Sequence, residues 1–400
     1  MPSRVDLHGF LFSDQPEQEY YRSTSKERAR QLGQYFTPYA VARFMASWVR
    51  LAPRLRRVMD PAVGLGIFFR ALLDVCPDYS GTFHGFDVDA RALDQLRRLL
   101  AEKLAGRMSL TSGDFLEVED GRKYDGILCN PPYLRYKAIH DREKLIRKLA
   151  TVSDVNLDRL SNLYAFFILR SAQALAPHGR AAILVPSDFL YSGFGEPIKE
   201  FLLNSGLLKY ILLFAEEDSL FEDSTTTSCV LLLDHTNDGK LPIFITVKSA
   251  ADLEILAGDI RCLEQSPVPL SVVRPGEISA GEKWSVYFRG AQAGVAYRCT
   301  VPFSRVARVM RGIASGDNHF FTFSRPKIDR SGIPPEYFLP CLTRASQATR
   351  PFFCLEDFRI LEASGKPVFL LDASLEPDHP AVKAYLDLGK QNGSHLRFLT

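Results

Sequence analysis

Cysteine is scarce in this chain and never occurs as Cys-x-x-C. The seven that exist, Cys76, Cys129, Cys229, Cys262, Cys299, Cys341 and Cys354, are odd in number and widely spaced. That excludes a disulfide framework and argues against a cysteine zinc site, so a reducing compartment and no bound metal are expected. Net charge is nearly absent as well. A formal +2 over 400 residues gives no global sign of a polyanionic partner, so any basic surface has to be local. Long apolar runs are missing too. The stretch from Leu163 to Ala176 is interrupted by Arg170 and Gln173, and the N-terminal Met-Pro-Ser-Arg-Val-Asp-Leu-His has no signal core. Neither a membrane span nor export is expected, and the cytoplasm is the expected location. Internal repeats and low-complexity blocks are also lacking.

What is present is a chain that is 46% hydrophobic and long enough for two domains. From about residue 33 to 235, helical patterns alternate with short apolar strands, the pattern of a parallel sheet covered on both faces. Seven strands are expected: Arg57-Val-Met-Asp, Thr82-Phe-His-Gly-Phe-Asp, Met108-Ser-Leu-Thr, Gly126-Ile-Leu-Cys, Ala181 to Pro186, Tyr210 to Phe214 and Ser228 to Leu233. Val41, Phe44, Met45 and Trp48 share one face of a helix over 38–49, and 68–73 and 90–104 carry similar stripes. After Asp234 the texture changes. Thr236-Asn-Asp-Gly-Lys punctuates the chain, and Pro267 to Gly294 is rich in Pro, Gly, Ser and Glu, so a domain junction is expected there. The expected organisation is an α/β catalytic domain over 33–262 after an extension of 32 residues, a linker over 263–303 and a second domain over 304–400. The extension is expected to be too short for a nuclease domain, and its role is not legible.

Four strand ends carry polar residues. Asp60-Pro61-Ala-Val-Gly64-Leu-Gly66 follows the first strand, and glycines there let the chain turn tightly and a ligand approach a helix N-terminus. The second strand ends at Asp87, whose carboxylate suits two ribose hydroxyls. Beyond the third lies Asp114-Phe115, an acceptor beside an aromatic ring that suits an adenine amine and face. Singly each reads as readily as a cap or turn; together they outline a nucleoside site at the carboxyl edge of the sheet. The fourth strand ends in Asn130-Pro131-Pro132-Tyr133. Two prolines present carbonyl oxygens without neighbouring N–H donors, and the Asn130 amide adds another acceptor. Acceptors converging on an aryl NH₂ favour a tetrahedral nitrogen with its lone pair aimed at an electrophile, which is the chemistry of amine methylation. Tyr133 suits stacking on a base.

Asp-Pro-Ala-x-Gly-x-Gly followed by Asn-Pro-Pro-Tyr, with Gly33-Gln-Tyr-Phe-Thr37-Pro38 ahead of both, resembles the gamma class of S-adenosylmethionine-dependent DNA adenine-N6 methyltransferases of restriction-modification systems. The resemblance spans roughly residues 33 to 330. It implies a Rossmann-like catalytic domain followed by a DNA target-recognition domain, with double-stranded DNA as partner and a cognate restriction endonuclease as a further one. Thr37 and the Asp60–Gly66 turn would then meet the methionine part of the cofactor, Asp87 the ribose, and Asp114 with Phe115 the adenine. Asn130, Pro131, Pro132 and Tyr133 would hold a target adenine rotated out of the duplex. Phe221 is the candidate for a second aromatic wall, by a looser match. Leu65 between the glycines and Phe36 before Thr37 depart from the commoner residues.

Residues 289 to 350 hold ten Arg plus Lys against three Asp plus Glu, and Arg305, Arg308 and Arg311 are spaced three apart on an expected helix suited to DNA phosphates. A solvated helix face is the plainer alternative. Residues 351 to 400 turn mildly acidic and stop without an evident terminating element, so the recognition domain is expected to be incomplete. Three other functions compete. Methylation of RNA or a protein glutamine predicts no Arg-rich second domain, a non-catalytic DNA-specificity subunit predicts loss of the motif residues, and a nucleotide-dependent oxidoreductase leaves the two prolines without a purpose.

Overall fold

A computed structural model describes residues 7–24, 28, 33, 37–118, 121–134, 162–215, 227–237, 240–273, 277–289, 301, 305–308, 313, 315, 317–348, 352–374 and 379–394. The chain divides into two compact units, Met1–Ala296 and Tyr297–Thr400.

The first unit is built on one sheet. Its strands are β1 (Arg57–Asp60), β2 (Thr82–Asp87), β3 (Met108–Ser112), β4 (Tyr124–Cys129), β5 (Leu175–Pro186), β6 (Leu208–Phe214), β7 (Ser228–Asp234), β8 (Ile243–Val247) and β9 (Leu270–Val272). They lie in the order β3-β2-β1-β4-β5-β7-β6-β8-β9. The first five are parallel, β7 runs antiparallel to both β5 and β6, β8 is again parallel to β6, and β9 is antiparallel to β8. All seven expected strands are present, and β8 and β9 widen the sheet to nine. Side chains alternate strictly between its faces, as the two-residue strand period requires. Val58, Leu128, Ala182 and Leu184 enter one core, while Met59, Ile127, Cys129, Ala181 and Ile183 enter the other. Helices α3 (Tyr39–Val49), α4 (Ile67–Val75) and α5 (Ala90–Leu100) contribute to the first core and α6 (Leu163–Ala174) to the second.

Two features of this region come from the tertiary structure. In the turn after Asp234, inside the expected catalytic range, Asn237 is buried and its amide donates to the carbonyls of Gly206 and Leu208, both at 3.1 Å, and of Lys240 at 2.9 Å, tying the turn into the sheet. The segment read as a linker also carries β9, and its Trp284 is fully buried in the second core, where Nε1 donates to Ser279 O at 2.9 Å. Tyr287 and Phe288 pack with Trp284 against Phe244, a short aromatic cluster without helix or strand period inside a Pro- and Gly-rich segment.

The N-terminal extension is folded onto this unit through α1 (Leu7–Leu11) and α2 (Gln15–Ser23). Asp14 Oδ1 accepts from the backbone N–H of Tyr39 at 2.7 Å, capping α3 from 25 positions away. Fully buried Arg70 donates to Leu11 O at 2.6 Å and Ser13 O at 2.9 Å and pairs with Glu17.

The second unit has a three-stranded antiparallel sheet in the order β10-β12-β11, formed by β10 (Thr322–Phe323), β11 (Phe338–Pro340) and β12 (Phe369–Leu371). Phe323, Ile328, Tyr337, Val368, Phe369 and Val382 fill its core.

Candidate functional site

The register of the parallel strands brings the polar strand ends to one edge. Asp60 of β1 lies beside Gly85 of β2, Asp87 beside Ser112 of β3, and Met59 beside Ile127 of β4, so Asp60, Asp87, Asp114 and Asn130 all emerge at the carboxyl side. They line a cavity of about 420 Å³. Thr37, Pro61, Gly64, Phe115, Pro131 and Pro132 line it too.

Each element holds its residue by a local bond. Asp60 is fully buried; Oδ1 accepts from the N–H of Ala62 at 3.0 Å, while Oδ2 has no hydrogen-bond partner among the described residues. Burial, reinforced by the nearby Asp87 charge, pushes its carboxyl well above the usual range although the Ala62 bond opposes this. Asp87 accepts from Gly64 N–H through Oδ2 and from Asp89 N–H through Oδ1, both at 2.8 Å, so the end of β2 clamps the glycine turn. Its carboxyl is also raised, first by burial. Asp114 accepts from Leu116 N–H at 2.9 Å and is raised by burial. Phe115 packs against Phe86 and Phe167 at ring distances of 5.4 and 5.7 Å, with the Arg170 guanidinium 5.5 Å from its ring centre.

The two glycines have different duties. Gly64, at φ +49°, has nothing among the described residues within 4 Å of the place where a Cβ would stand, so its bare face opens on space. Gly66, at φ +73°, does not line the cavity; a Cβ there would meet Leu96 Cδ1 at 2.5 Å, and the residue serves to start α4 against α5. Only glycine occupies such left-handed backbone without strain.

Across the cavity, the Asn130 side-chain NH₂ donates to Thr37 Oγ1 at 2.9 Å. A second tie joins the same segments: Tyr133 N–H donates to Gly33 O at 3.1 Å. Gly33 has φ +60°, and a Cβ on it would come within 3.1 Å of Tyr133 N. The segment leading into α3 and the Asn-Pro-Pro-Tyr turn are thus held as one piece. Tyr133 is partly exposed and does not line the cavity. Phe221 lies outside the described residues, as do residues 34 to 36.

Sequence reasoning missed one wall. Glu17, Tyr20 and Tyr21 of α2 line the cavity. Tyr20 donates to Asp89 Oδ2 at 2.7 Å, and Arg28 pairs with Asp89 Oδ1 at 3.0 Å, fastening α2 to the β2–α5 turn. Burial, then the Asp89 carboxylate, pushes the Tyr20 hydroxyl up to about 12. The available signal was local: Asp14, Pro16 and Glu17 read as a helix start. Which surface that helix covers is a tertiary property.

In the second unit Arg305 and Arg308 are exposed; Arg311 lies outside the described residues, and no α-helix is formed over 305–308. Not all nearby basic residues are at the surface's disposal. Lys327 Nζ donates to the carbonyls of His319, Phe320 and Thr322 at 3.0, 3.2 and 3.0 Å, and Arg325 pairs with Glu362 at 2.7 Å.

The donor set suits a nucleoside carrying a cationic tail. Acidic oxygens sit beside an aromatic wall, a glycine backbone faces open space, and Asp60 holds a buried oxygen without a partner among the described residues, which a donor would satisfy. Comparison with known proteins agrees. The family described as N-6 DNA methylase matches residues 12–252, and that of the C-terminal domain of type II methyltransferase M.Eco57I matches residues 294–400. Type II methyltransferase M.AccI of Acinetobacter calcoaceticus is 31% identical over 384 residues, covering 96% of this chain and 70% of M.AccI. Type II methyltransferase M.HincII of Haemophilus influenzae is 24% identical over 185 residues, 46% of this chain and 34% of that one. The fold also matches the methyltransferase subunit of a type I restriction-modification system from Streptococcus thermophilus, with a TM-score of 0.50 at 16% identity over 65% of this chain and 60% of that one. These relatives favour DNA over RNA or protein glutamine and a catalyst over a bare specificity subunit. The chain belongs to the N-6 DNA methylase family, the S-adenosylmethionine-dependent adenine methyltransferases of restriction-modification systems.

Proposed function

We propose that this chain methylates N6 of a specific adenine in double-stranded DNA, with the strand-end cavity as its cofactor site and Asn130-Pro131-Pro132-Tyr133 as the jaw that holds the target base. The observation that carries this reading is the sharing of one cavity by Asn130, Pro131 and Pro132 with Asp60, Gly64, Asp87 and Phe115. Bound there, S-adenosylmethionine would supply an electrophilic methyl group on a sulfonium. Phe115 and Asp114 would take its adenine, Asp87 its ribose hydroxyls, and Asp60 with Thr37 its methionine part.

The protein's own work is to make a poor nucleophile competent. With the Asn130 NH₂ committed to Thr37, its carbonyl oxygen would be the acceptor offered to the substrate, beside carbonyls of a turn whose prolines donate nothing. Two acceptors on the amine hydrogens favour a nitrogen whose lone pair leaves the ring plane. The proton departs once the nitrogen is cationic, so no strong base is required. Tyr133 would stack on the extruded base, a contact worth about 1 to 3 kcal/mol, against a flipping cost of a few kcal/mol. Phe221 is proposed as the facing wall, and exposed Arg305 and Arg308, with Arg311, as phosphate contacts. A restriction endonuclease of the same specificity is the proposed biological partner and the cytoplasm the proposed location.

The test is sequencing of genomic DNA from an expressing strain for N6-methyladenine, beside the same strain carrying Asn130→Ala. Methylation at one motif in the first and none in the second is expected. No methylated adenine in either would overturn the reading.

A further inference from the structure

The cavity wall supplied by α2 is built around Glu17, whose two carboxylate oxygens differ. Oε1 pairs with the buried Arg70. Oε2 is also buried and, among the described residues, accepts no hydrogen bond. One oxygen suffices to neutralise Arg70, whose other terminal nitrogen is already engaged by Leu11 O and Ser13 O. Glu17 and Asp60 therefore bring two carboxylates to one cavity, each with a buried oxygen lacking a partner among the described residues. Buried anionic oxygens are stable only when a cation or several donors reach them. The segment that contributes Glu17 is fastened at both ends, by the Asp14 cap on α3 and by the Tyr20–Asp89 bond, so its position is fixed by the fold.

We infer that Glu17 Oε2 joins Asp60 Oδ2 in receiving the α-ammonium group of the methionine part of S-adenosylmethionine, which makes the N-terminal helix a working part of the cofactor site. The inference rests on the reading of the cavity as that site. An ammonium offers three donors and a full positive charge, which answers both oxygens at once. The adenine and ribose ends of the ligand have Phe115, Asp114 and Asp87, and none of these is on α2.

The experiment is calorimetric titration of the full chain and of Glu17→Gln with three ligands. S-adenosylmethionine and S-adenosylhomocysteine carry the ammonium; 5′-methylthioadenosine keeps adenine, ribose and sulfur but lacks the amino acid. Loss of one charged hydrogen bond predicts that Glu17→Gln binds the first two about 10- to 100-fold more weakly and 5′-methylthioadenosine within about 2-fold of the parent. Equal weakening for all three would assign Glu17 to the Arg70 pair alone and overturn the inference, as would no weakening. A parent chain that binds none of the three would instead overturn the cavity reading itself. Because Glu17→Gln leaves Arg70 buried without its counter-ion, the double variant Glu17→Gln with Arg70→Met is titrated alongside. It must reproduce the same split between ligands with and without the ammonium, and a uniform loss there counts against the inference.

Discussion

The side-chain amide of Asn130 donates to the hydroxyl of Thr37 at 2.9 Å, joining two segments 93 positions apart. On the proposed reading this bond makes Thr37 a positioning residue for the amide. Thr37→Val keeps the shape and removes the acceptor. The expected loss is about 1 to 3 kcal/mol in the transition state, or about 10- to 100-fold in kcat, with a smaller change in the KM for DNA. Thr37→Ser should recover most of it. Steady-state kinetics of methyl transfer check this, and a Thr37→Val enzyme with unchanged kcat would show that the bond orients nothing.

On the proposed reading Asp60 would link protonation to ligand binding. Its folded carboxyl stands well above its ordinary value near 3.8, chiefly because of burial. The stabilising contribution of such a group is complete below that ordinary value and is lost as pH rises through the folded one. The ligand-free protein should therefore lose part of its thermal stability as pH climbs from about 4 upward, relative to Asp60→Asn. A cationic ligand favours the ionised form, so the rise in Tm caused by S-adenosylmethionine should grow over the same range. Melting curves with and without ligand at each pH are the measurement. A ligand-induced shift that is flat with pH and equal in both proteins would detach Asp60 from the cation.

Gly64 and Gly66 should separate binding from folding. Both sit in left-handed backbone, so alanine at either costs about 1 to 2 kcal/mol of strain. At Gly64 the new methyl meets nothing among the described residues and enters the space proposed for the ligand. At Gly66 it strikes Leu96 Cδ1 at 2.5 Å. Gly64→Ala should thus lose cofactor affinity more than stability, and Gly66→Ala the reverse. Titration and melting of the two variants decide it, and identical profiles would mean the turn works as a single unit.

The site was legible wherever chemistry and chain position coincide. Asp60 and Asp87 end their strands, Asp114 and Asn130 follow theirs directly or within two positions, and a parallel sheet brings its strand ends to one edge whatever the loops do. Gly66 was misplaced because a G-x-G turn does not say which glycine faces a ligand and which faces the neighbouring helix. Glu17 was illegible for another reason: Arg70, its partner 53 positions away, carries no sequence mark of being buried. The same holds for Trp284, whose burial its short run Trp284-Ser-Val-Tyr-Phe does not announce, and for Asn237, whose polar turn is stitched to β6 by hydrogen bonds that composition cannot show. The excess of about seven positive charges over 289–350 does not by itself separate cations that serve the surface from those consumed inside.

That separation gives the last prediction. Arg308 is exposed, whereas Lys327, 19 residues on, is committed to three carbonyls and lies 4.0 Å from the ring centre of Phe323. Burial lowers the Lys327 ammonium below its ordinary value, as expected of an amine serving the fold. If Arg308 neutralises a phosphate, Arg308→Ala should weaken binding alike to specific and non-specific DNA. It should also make the plot of log K against log salt shallower by about 0.9, with Tm unchanged. Lys327→Met should leave that slope intact and lower stability by about 1 to 3 kcal/mol, because three carbonyls lose their donor. Fluorescence anisotropy with a DNA duplex over a salt series, beside thermal melting, reads both. An unchanged slope for Arg308→Ala removes it from the interface, and a slope lost in Lys327→Met would mean that its ammonium serves DNA after all.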